Sequence, residues 1–191
     1  MNLPNLLTIS RFLLTGAFIF VVLSDDPASK FLALLIFIIA SVTDFIDGYL
    51  ARKNDLHTDF GKIMDPIADK FLILSAFYLF SYLGIFAFWL FCVIAAREIL
   101  VTLIRFYAIG RGQVLAAEGM GKVKTVSQIA SVIIILVFLI LVEAPFAASW
   151  PEEFFSAYSN GIVLIMYYVA SITIISGLSF LKSYWGVGRV R

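Results

Sequence analysis

Long apolar runs constrain this chain more than anything else in it. Six stretches, at 6–23, 30–51, 65–83, 85–109, 123–142 and 161–181, hold long, mostly apolar runs of about 17–22 residues. At 1.5 Å of rise per residue, a helix of that length matches the hydrocarbon core of a bilayer. A water-soluble domain has no use for six such runs, since its apolar share is about 45–50%. Here that share is 62%, with a mean hydropathy of +1.01. The pattern predicts an all-α integral membrane protein: one domain over 1–191 with six transmembrane helices. The first run lacks a preceding basic region and an Ala-x-Ala-like cleavage site, and it carries Arg11, so it reads as a retained helix rather than a signal peptide.

The charges give the orientation. An even number of spans puts both termini on one side. Of the 14 Lys and Arg residues, only Lys30 falls towards the opposite side, together with Asp25, Asp26, Glu143, Glu152 and Glu153. The positive-inside bias therefore predicts cytoplasmic termini and a multi-pass protein of the inner (cytoplasmic) membrane. The segment 143–160 reads as an outer loop whose Trp150, Phe154, Phe155 and Tyr158 rest at the membrane interface. The tail from Lys182 reads as a basic interfacial segment. One Cys and one His leave no disulfide within the chain and no ordinary zinc site. Cys92, inside an apolar run, reads as packing. With a net charge of +1, no nucleic-acid partner is expected.

Against this background, the stretch from Asp44 to Lys70 stands out. Asp44 and Asp47 are three apart near the end of the second run. Asp65 and Asp69 are four apart at the start of the third. Each pair shares a helix face, and the short connection lets the two helix ends meet. Four converging carboxylates repel one another and resist leaving water. Divalent cations resolve both conflicts, and an all-oxygen ligand set selects hard ions, Mg2+ or Mn2+. Two such ions beside a phosphate ester are a recurring arrangement for displacement at phosphorus. Gly48 and Ala51 lie one turn after Asp44 and Asp47, and Gly61 one turn before Asp65. Their small side chains admit either a flat ligand or a neighbouring helix. Arg52 offers a fork to a phosphate oxygen or anchors the chain at the interface. Asp55, Asp59 and His57 read as solvated loop residues.

Written out, the stretch is D-x2-D-G-x2-A-R-x8-G-x3-D-x3-D. It closely resembles the signature of the CDP-alcohol phosphotransferases, with every fixed position filled. The resemblance implies a six-helix membrane domain over essentially the whole chain, with its active site at the cytoplasmic membrane boundary. It implies a reaction in which a CDP-linked lipid, CDP-diacylglycerol, gives its phosphatidyl group to an alcohol and releases CMP. Carried over residue by residue, Asp44, Asp47 and Asp65 are metal ligands, and Asp69 is both ligand and general base. Gly48, Ala51, Arg52 and Gly61 would hold the CDP moiety. A homodimer is also implied.

The second half of the chain bears on the acceptor. Arg97, Arg105, Arg111, Lys122 and Lys124 lie around the same ends of the fourth and fifth runs. Arg97 and Arg105, eight apart, share nearly one face. Such a cluster suits an acceptor that carries a phosphate. The plainer alternative is ordinary basic flanking together with an Arg97–Glu98 pair. The blocks around ARE and GKVKT, with the opening NLPNLLTISR, resemble the family branch that makes phosphatidylglycerophosphate from sn-glycerol 3-phosphate. Inositol phosphate, serine and phosphatidylglycerol remain as other acceptors. Asn5, Thr8 and Arg11 form one polar stripe on the first helix. In that branch the stripe lies beside the nucleotide, and its plainer role is capping and anchoring. A different class, an ion-coupled transporter, is also compatible with intramembrane acids. It fits less well, because the acids gather at one end and no charge near the middle of the sixth run completes a path.

Overall fold

A computed structural model describes residues 3–26, 28–54, 59–110, 119–145 and 147–188; side chains at 3–8, 44–63, 65, 66, 109, 119, 120 and 186–188 are not described. Six α-helices follow one another: α1 (Leu3–Val22), α2 (Ser29–Asn54), α3 (Asp59–Tyr82), α4 (Phe88–Gly110), α5 (Gly119–Glu143) and α6 (Glu152–Gly188). A short 3-10 turn at Ala147–Ser149 precedes the last. No strand occurs among the described residues. The number and order of the helices agree with the sequence expectation.

The boundaries differ in an instructive way. Helix α3 begins at Asp59, so Asp65 and Asp69 lie inside it rather than at its start. Helix α6 runs for 37 residues, not only over 161–181. Much of the segment expected to be an outer loop is therefore helical, and so is most of the expected tail. The reason is local. Pro151 precedes the helix, and Glu152 and Glu153 occupy its first turn, where the helix dipole favours negative charge. The apolar run stops there, and the backbone helix continues past it.

The turn between α3 and α4 is chemically specified. Gly84 has φ of +76°, a conformation that glycine adopts without the Cβ clash. Its N–H donates to the Ser81 carbonyl at 3.1 Å, and the Ile85 N–H to the Phe80 carbonyl at 3.0 Å. These two bonds form the paired closure that ends many helices.

The helices close into a ring. In spatial order α1 packs on α2, α2 on α5, α5 on α6, α6 on α4, α4 on α3, and α3 back on α1, while α3 also touches α5 across the middle. Ala33, Ala40 and Ala76 are fully buried, and such small residues let helices approach closely. Large apolar side chains also cover the outside: Leu13, Phe20, Leu103, Leu164 and Leu178 are all more than half exposed. Buried positions meanwhile include Arg11, Glu98, Lys124, Gln128 and Thr173. A greasy exterior around a partly polar interior fits lipid as the surrounding solvent. Among the described residues, two helical segments are long and apolar enough to cross a membrane, Gly121–Glu143 and Glu152–Trp185. Cys92 is exposed rather than packed inside, as an apolar neighbourhood in sequence had suggested.

At the end of the bundle opposite the aspartates, Lys30 ties three helices together. Its Nζ donates to the carbonyls of Val22 and Ser24 at 3.0 and 2.9 Å, beyond the last turn of α1. It also pairs with Glu143 of α5 at 3.5 Å. A cation is well placed there, because helix C-terminal carbonyls lack intrahelical partners. Nearby, Trp150, Phe154, Phe155 and Tyr158 form an aromatic cluster. The Tyr158 hydroxyl donates to the Ile134 carbonyl, so this group packs α6 onto α5.

Candidate active site

Helix α3 presents Asp69 to a pocket that it shares with α4 and α5. Asp69, Lys70, Ile73, Leu74, Glu98, Lys124, Thr125 and Gln128 line it. Three helices supply the walls because α3 packs beside α4 in the ring and also touches α5 across it. The spacing on α5 is the helical one: Lys124 and Gln128 are four apart and share a face.

Glu98 is the hub of the pocket's charge network. Its Oε1 accepts a short hydrogen bond from Lys124 Nζ, one from Gln128 Nε2 at 3.3 Å and one from Arg97 Nη1 at 3.3 Å. Glu98, Lys124 and Gln128 are all buried. A buried charge demands a paired partner with satisfied hydrogen bonds; Glu98 Oε1 meets that demand, while Arg97 Nε is buried without a hydrogen-bond partner among the described residues. Arg97 then reaches α6, where its Nη2 donates to Ser176 Oγ at 2.8 Å. Gly177 makes room for it: a Cβ there would lie 3.0 Å from Arg97 Cγ.

The expected acceptor-phosphate residues thus divide. Lys124 lines the pocket beside Asp69. Arg97 is engaged with Glu98 and Ser176. Arg105 sits over the Phe180 ring at 5.7 Å, so both members of the Arg97/Arg105 face turn towards α6. Lys122 is exposed, and Arg111 lies outside the described residues. The simple Arg97–Glu98 pair is present, but Glu98 also reaches Lys124 and Gln128. Reading along one helix could not supply those partners. The available signal was an acid inside an apolar run opposite a Lys and a Gln in another run, since charges in such runs seek one another.

The side chains of Asp44, Asp47, Gly48, Ala51, Arg52, Gly61 and Asp65 lie outside the described residues, as do those of Asn5 and Thr8 and all of His57. The helices carrying them are described. Asp44 and Asp47 are in the C-terminal half of α2, and Asp65 lies one turn before Asp69 on α3. Arg11, the third residue of the α1 stripe, is buried. No group of three or more potential ligands gathers among the described residues. The one signature carboxylate that is described, Asp69, opens into the pocket and offers the hard oxygen donor that Mg2+ or Mn2+ requires.

Comparison with known proteins identifies the family. The family described as CDP-alcohol phosphatidyltransferase matches residues 1–173. A Bacillus subtilis protein named CDP-diacylglycerol--glycerol-3-phosphate 3-phosphatidyltransferase is 38% identical over 176 residues, covering 83% of this chain and 91% of the relative. A Rickettsia felis protein of the same name is 33% identical, covering 95% of this chain and 94% of the relative. One from Escherichia coli K12 is 37% identical, covering 68% and 74%. With its aspartate signature on α2 and α3 and a family match over most of its length, the chain belongs to the CDP-alcohol phosphatidyltransferase family.

Proposed function

We propose that this protein transfers the phosphatidyl group of CDP-diacylglycerol to sn-glycerol 3-phosphate, giving phosphatidylglycerophosphate and CMP in phospholipid biosynthesis. The observation that carries the reading is Asp69: the last residue of an intact family signature opens into a pocket that also holds Lys124. The names of the relatives support the same donor and acceptor.

In this reading Asp44, Asp47, Asp65 and Asp69 hold two Mg2+ or Mn2+ ions, which neutralise the donor's pyrophosphate when bound. Gly48, Ala51, Arg52 and Gly61 hold the CDP moiety, with Asn5 and Thr8 beside the nucleotide. Asp69 takes the proton of the acceptor hydroxyl. The hydroxyl oxygen forms a bond to the phosphorus that carries diacylglycerol, the bond from that phosphorus to the CMP oxygen breaks, and CMP leaves. Lys124, with Lys122, Arg105 and Arg111, attracts the acceptor's phosphate, and Arg97 supports them from α4. The chain forms one domain with six spans and cytoplasmic termini in the inner membrane. The donor's acyl chains remain in lipid while the acceptor arrives from water. The family resemblance implies a homodimer.

The test is CMP release by purified protein given CDP-diacylglycerol, Mg2+ and a panel of acceptors. Glycerol 3-phosphate is expected to react, with glycerol far behind, since glycerol leaves the cations unpaired. Faster reaction with serine, inositol phosphate or phosphatidylglycerol would reassign the acceptor. Absence of CMP with every acceptor would remove the enzymatic reading and favour a transporter.

A further inference from the structure

We propose that Glu98 is a positioning residue for the acceptor's phosphate, acting through Lys124. The proposal rests on the reading of Lys124 as a ligand of that phosphate. The geometry behind it is a relay across three helices. Ser176 on α6 holds the Arg97 guanidinium at 2.8 Å, and Gly177 leaves space for its stem. Arg97 in turn bonds Glu98 on α4. Glu98 Oε1 then fixes Lys124 and Gln128 on α5, at the wall of the pocket that contains Asp69.

Two features separate this from a purely structural ion pair. The first is charge. Arg97, Glu98 and Lys124 sum to one excess positive charge, so pairing with Glu98 does not neutralise the cluster. The second is donor capacity. An ammonium has three N–H donors, and the bond to Glu98 uses one. Lys124 is thereby oriented while its other donors stay available to a phosphate. Lysine has a flexible four-carbon stem. Without a fixed carboxylate, a buried ammonium moves towards water and must be reordered each time an acceptor binds.

The experiment is a double-mutant cycle read by CMP release at varied glycerol 3-phosphate and varied CDP-diacylglycerol. Glu98→Gln should raise the acceptor KM by about tenfold or more, the scale of one lost charge-assisted hydrogen bond. It should leave the donor KM and the kcat at saturating acceptor nearly unchanged. In a Lys124→Ala background, Glu98→Gln should add nothing, because its effect passes through the missing ammonium. A general packing role would instead lower kcat, and its effect would persist in that background. Ser176→Ala lies outside the pocket wall and removes a single hydroxyl, so it carries the test if Glu98→Gln does not fold. It should give a smaller rise confined to the acceptor KM.

An unchanged acceptor KM in Glu98→Gln, or in Ser176→Ala where the first variant does not fold, overturns the proposal. So does an equal rise with and without Lys124. If Lys124→Ala itself leaves the acceptor KM unchanged, the phosphate assignment of Lys124 is what has failed, and the two failures are distinguishable.

Discussion

Asp69 and Glu98 are both acids in apolar helices, and the proposed reaction gives them different work. Both line the same pocket, but Glu98 accepts three hydrogen bonds on one oxygen from the side chains of Arg97, Lys124 and Gln128. Asp69→Asn keeps the shape and removes proton acceptance. It should lower turnover by about 10²–10⁴-fold while CDP-diacylglycerol still binds. Parallel measurement of bound metal separates loss of the base from loss of a ligand, and a near-normal rate would reject Asp69 as the base. Chelation provides the companion test of the four aspartates. Excess chelator should abolish CMP release without altering helix content by circular dichroism, and added Mg2+ should restore it. Full activity in chelator would sink the metal-centred reading. Asp69 was legible from sequence because its signature is local, with all fixed positions between Asp44 and Asp69. The full role of Glu98 was not, because Lys124 and Gln128 lie 26 and 30 residues away, and spacing along one helix says nothing about which neighbour it meets.

At the scale of elements, periodic apolarity located six helices and misjudged their ends. The hydropathy of α6 falls off before its backbone hydrogen bonding does, and the acidic start at Glu152 was read as loop chemistry although it suits a first turn. The turn after α3 gives a clean test of local specification. A Cβ at Gly84 would meet nothing within 4 Å, so any penalty there is backbone strain alone. Gly84→Ala should cost about 1–2 kcal/mol, read as a lower unfolding midpoint in detergent, with Gly84→Asn costing less because Asn tolerates the left-handed region better. Equal stability of the Ala variant and the parent would show that the turn relaxes to another conformation. Lys30 belongs to this scale as well. It sits at the start of α2, and Asp44 follows 14 residues later on the same helix, about 21 Å along its axis. Lys30→Met should therefore lower thermal stability and leave the acceptor KM unchanged. A large KM effect would mean that the two ends of the bundle are coupled.

For the whole molecule, the closed ring explains how residues far apart in sequence share one site: α3 packs beside α4 and touches α5 across the ring, and α6 supports α4 from behind. The proposed orientation can be read directly. In a Cys92→Ala background, a cysteine placed at His57 should react with a membrane-impermeant thiol reagent from the cytoplasmic side. One placed at Ser149 should react from the opposite side. The reverse pattern would invert the topology.

The length of α6 carries a consequence for the membrane itself. Thirty-seven residues span about 55 Å, against a hydrocarbon core of about 30 Å. In the proposed arrangement the surplus would be accommodated by tilt or by projection through the headgroups. Because α6 packs on both α4 and α5, a change in its inclination would bear on those two helices and on the Arg97 and Lys124 that they carry. In the proposed membrane arrangement, bilayer thickness would then be a mechanical input to the pocket. An enzyme that makes lipid would be tuned by the lipid around it, running differently in short-chain and long-chain membranes of identical headgroup composition.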